Sequence, residues 1–133
     1  MNTTEKKVLI VDDEPISLKV LSTFLQESQI PFEQACHGKE ALDKLTERPS
    51  DFYAVVMDRY MPYMSGLEVL VAMQKQDGLR RIPVIMLTGL SEREDIIEAI
   101  QSGAFDYLTK PVEKELVVKL IERAREVFNA ISL

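Results

Sequence analysis

Five residues in this chain carry side chains suited to chemistry, and each lies at the end of an apolar run. Asp12 and Asp13 follow Val8-Leu9-Ile10-Val11, Asp58 follows Tyr53 to Met57, Thr88 follows the run Ile82 to Leu87, and Lys110 follows Phe105 to Thr109. Three carboxylates brought together repel one another unless a cation answers them. Lys110 is one such cation. A hard divalent ion is another, and oxygen ligands without histidine or thiol favour Mg²⁺ over zinc or copper. Mg²⁺ keeps several waters and takes one or two carboxylates plus phosphate oxygens, so a pocket of this kind suits phosphate. A carboxylate can itself attack phosphorus to give an aspartyl phosphate, and Asp58 is the candidate acceptor. Asp12 and Asp13 then hold the metal, Lys110 offers positive charge to the equatorial oxygens, and the Thr88 hydroxyl offers a donor. Gly89 has no side chain, which lets its backbone come close to a phosphoryl oxygen.

These residues work together only if the fold gathers them. Short runs rich in Val and Ile alternate with longer stretches whose apolar residues recur every three or four positions, the pattern of parallel βα units. Strands are expected at Val8–Val11, Phe32–Cys36, Tyr53–Met57, Ile82–Leu87 and Phe105–Thr109. The first carries no polar alternation, as befits a strand covered on both faces. Pro15 opens the first helix, whose stripe is Ile16, Val20, Leu21, Phe24 and Leu25. A short second helix carries Ala41, Leu42 and Leu45 and stops before Pro49. Ser65-Gly66-Leu67-Glu68 and Ser91-Glu92-Arg93-Glu94 have capping-box spacing at the start of the third and fourth helices, and Gly103 closes the fourth. The last helix keeps Leu116, Val117, Leu120, Ile121, Ala124, Val127, Phe128 and Ile131 on one side. The expected fold class is α/β, a single (βα)5 doubly wound parallel five-stranded sheet with flavodoxin-like order 2-1-3-4-5. That order makes the first and third strands neighbours, so all five residues converge outside the carboxyl ends of the strands.

Composition narrows the setting. The 133 residues, 46% hydrophobic and 29% charged, suit one globular domain over 1–133 with a core from about Lys7 to Phe128. Sixteen Lys plus Arg against 22 Asp plus Glu leave a net charge of −6, which repels nucleic acid and anionic membranes. No apolar stretch approaches the roughly 18 residues of a membrane span. The lone Cys36 forms no internal disulfide or CxxC site, in keeping with a reducing cytoplasm, and reads as a small buried hydrophobe. His37 reads as a surface residue without companion ligands.

The chain resembles a response-regulator receiver domain of two-component signalling from about Lys7 to Phe128. The resemblance is carried by Val8-Leu-Ile-Val-Asp-Asp-Glu-Pro15, Val56-Met-Asp58 with Met61-Pro62 and Gly66, Val84-Ile-Met-Leu-Thr-Gly89, and Tyr107-Leu-Thr-Lys-Pro111. It implies that Asp58 accepts a phosphoryl group from a sensor histidine kinase or a histidine phosphotransfer protein. It implies Mg²⁺ held by Asp13 and Asp58, by Asp12 through water, and by the backbone carbonyl of Tyr60. Lys110 would contact the phosphoryl group, with a cis peptide to Pro111. Thr88 and Tyr107 would relay the change to a partner-facing surface of the fourth helix, fifth strand and last helix, which is also a possible homodimer face. The output would be a downstream effector or a fused domain outside this stretch. Arg59, Tyr60 and Leu90 depart from the commoner pattern beside the acceptor and Thr88. Neither Tyr60 nor Leu90 offers a carboxamide or carboxylate to orient an attacking water, and both are bulky, so slow self-dephosphorylation is expected.

Plainer readings stand beside these. Asp12 and Asp13 could cap the first helix, Lys110 could be a solvated lysine, and Tyr107 could simply pack in its strand. Two other functions compete with the signalling switch, whose only expected enzymology is self-phosphorylation and self-hydrolysis. One is a Mg²⁺-dependent aspartyl-phosphate phosphatase, but Asp58-Arg59-Tyr60 lacks the second acid that such a site uses two residues on. The other is an interaction module independent of phosphorylation, which the retained Asp58 and Lys110 disfavour.

Overall fold

In the computed structural model, which describes residues 5–89 and 93–131, five parallel strands alternate with five helices. The strands are β1 (Lys7–Val11), β2 (Phe32–Ala35), β3 (Phe52–Asp58), β4 (Val84–Thr88) and β5 (Asp106–Thr109), in the order β2-β1-β3-β4-β5. The helices are α1 (Pro15–Glu27), α2 (Gly38–Glu47), α3 (Gly66–Gln74), α4 (Arg93–Gln101) and α5 (Lys114–Ile131). This is the expected fold class. The crossover from β1 to β2 runs in the opposite direction from the later ones, and right-handed crossovers therefore put α1 on one face and α2 to α4 on the other. α5 packs beside α1, and α2 beside α3.

Burial follows position in the sheet. The central strand β3 is buried at every residue, and Val8 to Val11 of β1 and all of β4 are buried too, because helices cover both faces. On the edge, β2 and β5 are only partly buried. The expected strand limits shift by a residue or two for local reasons. β2 ends at Ala35 because the Cys36 N–H turns to the Glu40 carboxylate at 2.8 Å instead of continuing the ladder. β4 starts after Pro83, since the Ile82 N–H bonds back to the Leu79 carbonyl in a turn.

The helix stripes are wider than the faces they bury. Ile16, Val20, Leu116 and Ile131, expected in the apolar stripes of the first and last helices, are exposed. Ile16 and Val20 instead line an open cavity of about 380 Å³ with Asp12, Lys110 and Pro111. The capping box at Ser65 forms in full, with the Glu68 N–H donating to Ser65 Oγ and the Ser65 N–H to Glu68 Oε1. Residues Ser91 and Glu92 of the other expected box, and Leu90, lie outside the described residues. Gly103 ends α4 with φ of 110°, where the Ala104 N–H reaches the Ala99 carbonyl. No helix among the described residues is long and apolar enough to cross a membrane.

Candidate functional site

β1 and β3 pair so that Val11 stands opposite Met57, which puts Asp12 level with Asp58 one residue further on. Asp58 in turn stands opposite Leu87 of β4, one residue before Thr88, and Thr88 opposite Thr109 of β5, one residue before Lys110. The register of four strands therefore delivers Asp12, Asp58, Thr88 and Lys110 to one edge of the sheet. The Lys110 N–H fixes this row by donating to the Thr88 carbonyl at 2.8 Å.

The three carboxylates meet, with oxygens of Asp12, Asp13 and Asp58 all within 4.8 Å of one another. Asp12 is fully buried, Asp58 nearly so, and Asp13 is half-buried at the mouth. Lys110 reaches across from β5, its Nζ 2.8 Å from Asp12 Oδ2 and 3.6 Å from Asp58 Oδ1. Glu14 and Ser17, which sequence reasoning passed over, also approach Lys110 at 3.6 and 3.5 Å. Asp12 is not the N-cap of α1. That position falls to Glu14, whose N–H donates to Asp12 Oδ1, and the other oxygen of Asp12 goes to Lys110. Burial raises the Asp58 carboxyl to about 6, with Lys110 opposing the rise and the charges of Asp12 and Asp13 adding to it. For Lys110, burial favours loss of the proton, but its bond to Asp12 and the nearby carboxylates outweigh this and raise its pKa.

Thr88 is buried at the end of β4, and Gly89 is exposed just beyond it, with no heavy atom within 4 Å of where a Cβ would sit. The Lys110–Pro111 peptide is cis. Tyr107 does not enter the acid pocket. It is half-buried and lines a separate cavity with Pro111, Val112 and Leu116. Tyr60 is half-exposed, and its hydroxyl donates to Asp95 Oδ1 at 3.3 Å. Gly66 is required by close packing, since a Cβ there would lie 2.3 Å from the Asp58 carbonyl oxygen.

One sequence expectation is overturned at the end of β2 and another holds in part. Cys36 is exposed, not buried, because it stands past the end of an edge strand with its thiol turned to Glu40. His37 is at the surface as expected, but it has companions, with the Cys36 and Glu40 donor atoms within 4.8 Å. The contacts are those of a helix cap: His37 Nδ1 accepts the Glu40 N–H at 3.1 Å, and Glu40 accepts the Cys36 N–H.

An acid pocket and one lysine thus stand at the carboxyl edge of a doubly wound α/β sheet, and sequence comparison gives the family. Residues 8–122 match the model of the response regulator receiver domain, and the chain belongs to that family of two-component signalling domains. It is 35% identical to the chemotaxis protein CheY of Pseudomonas aeruginosa, covering 92% of this chain and 98% of that protein. It is 31% identical to the DNA-binding response regulator MtrA of Mycolicibacterium smegmatis over 94% of this chain, and spans about half (53%) of that longer relative. The crystal structure of a response regulator receiver domain protein from Clostridium thermocellum superposes with a TM-score of 0.88 at 29% identity, covering 95% of this chain and 98% of that one.

Proposed function

We propose that this chain is a phosphorylation-activated switch that takes a phosphoryl group onto Asp58, with 1–133 forming one receiver domain around a core of about 7–128. The observation that carries the reading is the meeting of three carboxylates from two adjacent strands, with the Lys110 ammonium 2.8 Å from Asp12. The donor set fits Mg²⁺, being all oxygen with Asp13 at the open mouth. Asp12, Asp13 and Asp58 would hold the ion, together with the backbone carbonyl of Tyr60. When bound, it supplies positive charge against the phosphoryl oxygens.

In the transfer, a carboxylate oxygen of Asp58 bonds to phosphorus while the P–N bond of a phosphohistidine breaks. The electron pair of that bond returns to the imidazole nitrogen. Lys110 faces the acceptor and balances the charge carried in with the phosphoryl group. Thr88 donates its hydroxyl to the new oxygens, and Gly89 leaves room for its backbone N–H to approach. The donor is a sensor histidine kinase or a histidine phosphotransfer protein in the cytoplasm. Thr88 and Tyr107 then relay the change to α4, β5 and α5, where an effector or a second copy docks. Ile97, Ile100 and Leu116 are exposed there. Tyr60, two residues past the acceptor, offers no carboxamide or carboxylate to orient a water, and its hydroxyl is turned to Asp95, which supports a long-lived acyl phosphate. The chain's own chemistry is self-phosphorylation and self-hydrolysis only.

The test is incubation with a small acyl-phosphate donor and Mg²⁺, followed by intact mass measurement. One phosphoryl group per chain, absent from Asp58→Asn, is the expected result. Continuous release of phosphate over many turnovers would instead indicate a phosphatase, and no adduct would leave a phosphorylation-independent interaction module.

A further inference from the structure

Arg59 follows the acceptor candidate directly and is 4% exposed. A buried guanidinium is tolerated only when its charge and donors are matched. Among the described residues, all its side-chain partners lie on α4 or on the next residue. It donates to the Asp95 carbonyl at 2.8 Å, makes a close ion pair with Glu98, lies 3.8 Å from the Asp95 carboxylate, and sits 5.4 Å from the Tyr60 ring centre. The Tyr60 hydroxyl bonds to the same Asp95. The Arg59 backbone is pinned as well, its N–H to the Leu87 carbonyl and its carbonyl to the Gly66 N–H, both at 2.7 Å. One residue thus ties the end of β3 to β4 just before Thr88, to the start of α3, and to α4.

What it holds is otherwise lightly held. Ala99 is the one buried residue among those described in α4, and the isoleucines 97 and 100 face outward. With so little apolar burial, the Arg59 cluster is a large share of what fixes the helix. We infer that Arg59 is a positioning residue that latches α4 in this arrangement through Glu98 and Asp95, so that the latch sets how readily α4 responds to the state of Asp58. The inference rests on the phosphoacceptor reading. Any shift of residues 58 and 59, or of the β4 end that carries Thr88, reaches α4 through a buried fork bound at both ends. Asp58 reacts in proportion to the population of the arrangement competent for modification, so if that arrangement has α4 released, loosening the latch raises the rate of modification.

Glu98→Gln tests this, because residue 98 lies outside the acid pocket and its side chain is 56% exposed. Two readouts are compared in the 133-residue chain: amide hydrogen exchange across residues 96–101, and the initial rate of adduct formation from an acyl-phosphate donor with Mg²⁺. Both are expected to rise about 5-fold, the lower end of typical couplings, and Glu98→Asp, which keeps the charge, is expected to restore both. Adduct formation at one rate in the parent and Glu98→Gln overturns the latch, even if exchange quickens. A parent protein that forms no adduct overturns the phosphoacceptor reading and the latch with it. Unchanged exchange in α4 also overturns the latch, since the helix would then be held by something else.

Discussion

Replacing Asp58 with Asn should make the metal-free protein more stable at neutral pH, although it removes the residue assigned the central chemical role. In the folded chain the Asp58 carboxyl sits at about 6 against an ordinary 3.8, chiefly because it is buried. Folding therefore favours its protonated form. The penalty is absent well below 3.8, grows as pH rises between the two values, and is complete above 6. At about 1.36 kcal/mol per pKa unit, the ionised carboxylate costs the fold roughly 3 kcal/mol at pH 7.5. The substitution removes the charge but keeps the shape, and Lys110 retains Asp12 at 2.8 Å as a partner. The expected gain is about 2 to 3 kcal/mol, or roughly 7 to 10 °C in Tm for a chain of this length. Urea unfolding in EDTA at pH 7.5 and pH 4 measures it. At pH 4 the parent carboxyl is already protonated, and the gain should fall below about 1 kcal/mol. Millimolar Mg²⁺ should stabilise the parent by mass action and narrow the difference at pH 7.5. A variant no more stable than the parent at pH 7.5, or a gain equal at both pH values, would refute the reasoning.

Three further outcomes follow from the contacts. Glu33 takes two bonds of 2.7 Å from Arg48 and one of 3.1 Å from Lys7, and Arg48 foremost lowers its carboxyl to about 2. Its stabilisation is present above the ordinary value of 4.5 and lost as pH falls toward 2. Glu33→Gln should cost about 1 kcal/mol at pH 7, after allowance for solvent screening, and next to nothing at pH 2 by urea titration. Gly66→Ala forces a Cβ against the Asp58 carbonyl oxygen, a backbone atom that cannot swing away, and should cost about 1 to 3 kcal/mol in thermal melts and slow phosphorylation. Gly89→Ala meets no atom within 4 Å, so its unfolding free energy should stay within about 0.5 kcal/mol of the parent, and a slower adduct rate would report access to the phosphoryl group alone.

The sequence by itself determined the class of fold and put Asp12, Asp13, Asp58, Thr88 and Lys110 at strand ends, but left Glu14 and Ser17 beside Lys110 unread. Unbroken apolar runs such as Val8 to Val11 mark strands buried on both sides, stripes at helical spacing mark what covers them, and polar residues at the strand ends fall at one edge of any such sheet. These are local signals, because side-chain burial and backbone period act over a few residues. Strand limits were less legible where a competing local bond decided them, as when the Glu40 carboxylate captures the Cys36 N–H and ends β2. Only the tertiary structure decided which partners each polar group took. Arg59 reads as an oddity beside the acceptor until α4 brings Asp95 and Glu98 to it from 36 and 39 residues away. Ile16 and Leu116 belong to apolar stripes yet lie exposed, since a helix buries only the sector that meets the sheet. The reason is common to both: charge pairing and packing are satisfied by neighbours in space, and the order of residues along a chain carries no record of which distant segment will supply them.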